Sequence, residues 1–144
     1  MASVLELMNA GLGGCPAYPV KISLDQRDLS GQYVLVEAMH IPSVGPNLCL
    51  APAADPGDGV LALVLVADRE RIRLSRCLRD HLEGRSDRAL LTVHRGRRLR
   101  IECECPPIHI DDELKSKNEA GASPPSSVID VTIESRALEM LVPA

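Results

Sequence analysis

The chain has 144 residues, 25% of them charged and 45% apolar, a soluble globular mix with room for one domain and a real core. Its net charge of −4 speaks to solubility alone, and no apolar run approaches the ~18 residues of a membrane span. Tyr18 and Tyr33 are the only aromatic residues, so the core must be built from Leu, Val, Ile and Ala. The same scarcity argues against base stacking, and no nucleic-acid partner is expected. An odd count of five cysteines without a Cys-x-x-Cys pair, and without a signal peptide, indicates reduced thiols in a cytoplasm. Cys103-x-Cys105, with His109 as the nearest further ligand, is a poor zinc spacing.

Residues 1–17 read as a weakly structured segment or a short helix, ended by Gly11, Gly13, Gly14 and Pro16. Tyr18, Val20, Ile22 and Leu24 alternate with polar residues and predict a half-buried strand. Asp25 to Gly31 is a polar turn, and Tyr33 to Met39 predicts a second, more central strand pairing with the first. His40 to Gly59 is loop chemistry rich in Gly, Pro, Asn and Asp, followed by a strand over Val60 to Val66, apolar nearly throughout and buried on both faces. Leu74, Leu78 and Leu82 recur at helical spacing within Asp68 to Glu83, with Asp68 as the expected cap and Gly84 at the C-terminal stop. The opposite face of that helix carries Arg69, Arg73, Arg76 and Arg79. Ala89 to Val93 and Leu99 to Cys105 predict two strands around a turn at His94 to Arg98. A short strand over Ile108 to Ile110 leads into Asp111, Asp112 and Glu113. Residues 115–127 are polar and rich in Ser and Pro, predicting a flexible loop. Strands over Val128 to Ile133 and Leu138 to Val142 close the chain. Short strands at near-regular spacing with one helix, about 68–83, predict a mainly β fold, a two-sheet antiparallel β-sandwich over 18–144.

Three constellations carry chemistry. Asp55 and Asp58 stand at the junction of loop and strand, with glycines beside Asp58 that let carboxylates and carbonyls converge. Such a junction either holds a hard cation through oxygen ligands or is a solvated turn whose Asp side chains bond their own backbone. Asp111, Asp112 and Glu113 are adjacent acids that suit a general base or a metal ligand, or form a solvated acidic turn. Between Asp68 and Arg100, eleven arginines face five acids. Arg95, Arg97, Arg98 and Arg100 cluster there, suited to a phosphate or an anionic membrane surface, or to pairing with nearby acids. No G-x-S-x-G nucleophile motif is present, and the four histidines are scattered.

The stretch Gly45 to Val66 reads G-x-x-x-x-x-A-P-x-A-x-x-x-D-G-x-L-x-L-x-x-V, and Val131 to Pro143 reads V-x-I-x-x-x-A-L-x-x-L-V-P. With the helix, the strand pair and Asp111-Asp112-Glu113 between them, residues 18–143 resemble the C-terminal, all-β part of the diacylglycerol kinase-type lipid kinases, which include sphingosine kinases and bacterial lipid kinases. The family's D-G-E has Asp112 in place of its glycine here. The resemblance implies a two-sheet sandwich forming the lipid-facing half of a cleft. It implies that Glu113, with Asp111 beside it, activates the lipid hydroxyl. It also implies a structural magnesium ion on Asp58, with Asp55 and the Val60 carbonyl as co-ligands.

Phosphoryl transfer needs a phosphate cradle and a magnesium-held nucleotide. The family's G-G-D-G-T loop, which serves this in an N-terminal α/β domain, does not occur in the sequence. The expectation is therefore a partial lipid kinase, inactive alone, whose partners are a missing nucleotide-binding domain and a lipid. Mg2+ and ATP belong to the full enzyme and are not expected to bind this chain tightly. Self-association through exposed strand edges is expected, as is a cytoplasmic location that extends to the membrane surface. The competing reading is a non-catalytic lipid- or protein-binding module that keeps only the fold. The sandwich half of an NAD kinase-like enzyme is a third, fitting the closing motif less well.

Overall fold

The computed structural model describes residues 4–45, 47–85, 91–104, 108–110, 113–115 and 126–134. Helix α1 (Val4–Leu12) is followed by strands β1 (Tyr18–Leu24), β2 (Arg27–Asp28), β3 (Gly31–Met39), β4 (Ser43–Val44), β5 (Leu48–Cys49) and β6 (Leu61–Ala67). A 3-10 turn (Asp68–Glu70) leads into α2 (Arg71–Leu82). Strands β7 (Thr92–Gly96), β8 (Arg98–Glu104), β9 (Ile108–Ile110), β10 (Glu113–Lys115) and β11 (Ser126–Thr132) complete the described elements. Every recorded strand pairing is antiparallel. The main sheet runs β11-β8-β1-β3-β6-β7, with β2 folded back on β1, and β4-β5 and β9-β10 form separate two-stranded pairs.

The main sheet cannot be flat. Only Arg97 separates β7 from β8, and one residue lets two Cα atoms stand at most about 7 Å apart. In sheet order β8 and β7 are four strands apart, which in a flat sheet is roughly 19 Å. The sheet therefore curls until its β7 edge meets β8. Strand β3 makes the bend: Gly31 to Tyr33 pair with β1, Tyr33 to Met39 pair with β6, and the register slips between Tyr33 and Leu35. A bulge at that point adds local twist and re-aims the strand. The result is a sandwich-like domain with one layer of β11, β8 and β1 and another of β3, β6 and β7, joined through β3.

Strand β6 explains why two hydrophobic clusters form. Leu61, Leu63 and Leu65 point between the layers and meet Val20, Ile22, Leu24, Leu99 and Cys103. Ala62, Val64 and Val66 point the other way, against Leu74, Cys77 and Leu78 of α2. The expected strand buried on both faces is thus present. The expected helix is present too, with two differences. Asp68 does not cap it: its Oδ1 accepts from Arg71 Nε at 2.6 Å, while Glu70 Oε2 accepts the Ala67 N–H at 3.3 Å. Leu82, the last residue of α2, is 39% exposed rather than buried with Leu74 and Leu78. Gly84 has φ +66 after that turn, the left-handed stop expected there.

The amino-terminal segment is the helix α1, set against α2. Ser75 Oγ donates to Asn9 Oδ1 at 2.7 Å, Arg71 donates to the Leu12 carbonyl, and Leu12 packs on the α2-side cluster. The loop from His40 onward is not wholly surface: Leu48, Leu50 and Ala51 are buried in that same cluster. The pair β4-β5 turns through Gly45 and Asn47, both at positive φ. The expected hairpin about His94 to Arg98 is corrected. Strand β7 runs on to Gly96 and pairs with β6, whereas β8 pairs with β1 and β11. Of the predicted 115–127 loop, Lys115 ends β10 and Ser126 and Ser127 open β11. Residues 116–125, and the predicted closing strand Leu138 to Val142, lie outside the described residues. Among the described residues β7 and β11 are the edges of the main sheet, and no helix is long and apolar enough to cross a membrane.

Candidate functional site

Part of the sequence-predicted set, the arginines Arg95, Arg97 and Arg98 with Asp58, lies at one corner of the sandwich, the turn of chain at Arg97. Gly96, in the last position of β7, is buried there. A Cβ on Gly96 would lie 2.6 Å from Leu24 Cδ1 and 2.7 Å from Asp25 Oδ2, so only glycine lets the corner close. The β1-β2 turn closes on it from the other side. Asp25 and Gln26 form that turn at φ 48 and 69, the doubly left-handed geometry of a two-residue hairpin. Asp25 N donates to the Arg98 carbonyl at 2.9 Å. Its carboxylate accepts the Arg98 N–H at 2.9 Å and the Arg97 N–H at 3.1 Å. Those N–H bonds, Arg98 before Arg97, hold the Asp25 carboxyl below the usual carboxylate range, with the Arg27 and Arg97 charges adding to the effect. Sequence reasoning passed over Asp25. A left-handed Asp in a two-residue turn was readable, but its partners seventy-odd positions away were not.

The acidic junction lies beside this corner. Asp58 N donates to the Asp55 carbonyl at 3.2 Å, and Asp55 Oδ1 accepts the Gly57 N–H at 2.8 Å. Asp58 Oδ1 accepts the Val60 N–H at 2.8 Å, with Gly59 at φ +68 between them. The other Asp58 oxygen, Oδ2, is ion-paired to the Arg95 guanidinium. Arg95 is placed by its register opposite Ala62, and its carbonyl accepts from Arg27 at 2.8 Å. The structure therefore joins two constellations that the sequence kept apart.

A magnesium ion at Asp58 would need several oxygen donors at short range. As arranged, both Asp58 oxygens are engaged, one by backbone and one by a cation. No group of three or more metal-ligating side chains occurs among the described residues. The residues at this junction do not fit the ion.

The basic cluster divides likewise. Arg95 is committed to Asp58. Arg100 is committed to Glu102 at 3.0 Å and Asp130 at 3.0 Å, a pairing that raises its pKa further, the Glu102 bond contributing most. Arg97 and Arg98 are exposed, and among the described residues their guanidinium groups make no hydrogen bond or ion pair. They rim a surface hollow with Ser23, Asp25 and Gln26. Of the expected catalytic acids, Glu113 opens β10 opposite Ile110, and Asp111 lies outside the described residues. Cys103 is buried in the interlayer cluster, and Cys105 lies outside the described residues.

Comparison with known proteins follows the same lines. Three solved structures share the fold, all from Bacillus anthracis str. Sterne and described as a diacylglycerol kinase or a putative one. Each is 17% identical, with TM-scores of 0.58, 0.57 and 0.54 over 91%, 88% and 87% of this chain. The chain spans 44%, 42% and 42% of their lengths, so it corresponds to less than half of each. No curated protein matches the sequence. The family model described as the YegS C-terminal NAD kinase beta sandwich-like domain matches residues 14–141. The chain belongs to that family.

Proposed function

We propose that this chain is the lipid-facing part of an ATP-dependent lipid kinase whose nucleotide-binding part is a separate stretch of protein. The observation that carries the reading is coverage. The family match takes in nearly the whole chain, while structures described as diacylglycerol kinases are more than twice as long. A Gly-rich phosphate cradle is absent from the sequence, which agrees with this division of labour. In the proposed reaction Glu113 accepts the proton of the lipid hydroxyl as that oxygen bonds to the γ-phosphorus of ATP. The bond from phosphorus to the bridging oxygen breaks and ADP leaves. Arg97 and Arg98, whose exposed guanidinium groups make no hydrogen bond or ion pair among the described residues, contact lipid phosphate at the membrane surface.

The test is lipid phosphorylation by the protein joined to its nucleotide-binding part, with magnesium-ATP and diacylglycerol vesicles. The wild-type protein is expected to form phosphatidic acid, and Glu113→Ala to lose about 10²-fold or more of that rate. The 144-residue chain alone is expected to give none, and robust turnover by it would end the proposal. Asp112, where the related motif has glycine, favours a second reading, a lipid- or protein-binding module without catalysis. Under that reading Glu113→Ala changes neither vesicle binding nor any phosphorylation measured for the joined protein.

A further inference from the structure

The Asp58 junction departs from the metal site that the resemblance implies, and the departure is specific. A carboxylate at a loop-strand junction needs a counter-charge if its turn is to keep one shape. Here Asp58 spends Oδ1 on the Val60 N–H and presents Oδ2 to Arg95, 37 residues further along the chain. The arginine does not arrive there by side-chain flexibility alone. Its backbone is held in the β6-β7 ladder opposite Ala62, and its carbonyl by Arg27. The Asp58 side chain is 25% exposed and that of Arg95 48%, so only the carboxylate side of the pair is partly sheltered from solvent. A divalent ion on Oδ2 would stand within a few ångströms of the guanidinium, and the two positive charges repel strongly at that range. Arginine and metal are therefore alternatives at this oxygen.

We infer that Arg95 is an internal counter-cation that does at Asp58 what a divalent metal would do. It neutralises the carboxylate and ties the 55–60 turn to β7, so this chain orders the junction without a bound metal. The inference does not depend on whether the full protein phosphorylates a lipid.

The experiment is thermal unfolding of the chain, followed by circular dichroism, in EDTA and in millimolar magnesium chloride at matched ionic strength. The wild-type midpoint is expected to be the same in both. Arg95→Gln is expected to melt lower in EDTA, with magnesium recovering part of the loss. That recovery is expected to disappear when Asp58→Asn is added. A wild-type midpoint that rises with magnesium, and no longer does so in Asp58→Asn, overturns the inference. So does an Arg95→Gln variant that melts like the wild type in EDTA. Should Arg95→Gln fail to fold, the wild-type and Asp58→Asn measurements decide the matter by themselves.

Discussion

Strand β6 lies in the middle of the molecule, with Leu63 and Val64 at 0% exposure and apolar neighbours on both faces. The corner at Arg97 lies at the surface, where Arg95, Arg97, Arg98 and Asp25 are all exposed. Burial holds the first and is non-directional: any aliphatic residue of about the right size serves. Hydrogen bonds from two backbone N–H groups to the Asp25 carboxylate, and a glycine too crowded for a Cβ, hold the second. Those contacts are directional and admit few substitutes. The lesson is that this fold has a tolerant centre and an exacting corner, and that the basic residues Arg95, Arg97 and Arg98 stand at the corner.

The contrast can be tested from its strongest side. Leu63→Ala removes a fully buried side chain between the layers and is expected to cost about 2–5 kcal/mol, read as a lower urea midpoint. Leu63→Ile, which keeps the volume, is expected to cost under about 1.5 kcal/mol. Equal losses from the two would show the centre to be as exacting as the corner. Gly96→Ala comes next. Its added methyl meets Leu24, itself fully buried, and is expected to cost about 1–3 kcal/mol. A neutral result in the same urea assay would mean that the β7-β8 turn yields freely.

The smallest effect is the acid dependence of the corner. The folded pKa of Asp25 is depressed, so its stabilisation is complete above the ordinary carboxylate value of 3.8 and is lost as pH falls through the lower folded value. Asp28, lowered chiefly by the Ser30 side chain and also by the Ser30 N–H, acts in the same direction. The wild type is expected to lose stability as pH falls below the ordinary carboxylate value of 3.8. Asp25→Asn is expected to start less stable and to lose less over that range. Parallel curves for the two proteins would show that the carboxylate charge is not what clamps the corner.

What could be read in advance follows the same division. The alternation in Leu99, Ile101 and Cys103 reappears as the inward face of β8, and that in Ile129, Val131 and Ile133 as the more buried face of β11 and its continuation. The helix followed from Leu74 and Leu78, and its stop from Gly84. The burial of Leu48, Leu50 and Ala51 was not legible, because no period marks a loop that is pressed into the core by elements on either side of it. The basic run at 95–100 read as a local hairpin because its two strands are adjacent in sequence. Each instead pairs with a different neighbour across the curled sheet.

By itself the sequence determined which residues are inside and which elements form, since burial and helical or strand period depend on side-chain pattern over a few turns of chain. It also determined the family, through motifs spread over most of the length. Tertiary structure alone decided that Asp58 meets Arg95 and that Asp25 meets the Arg97 and Arg98 amides. Those contacts join residues 37 or more positions apart. They are fixed by the register of the β6-β7 and β1-β8 ladders, which pair stretches far apart in the chain and which no local pattern encodes.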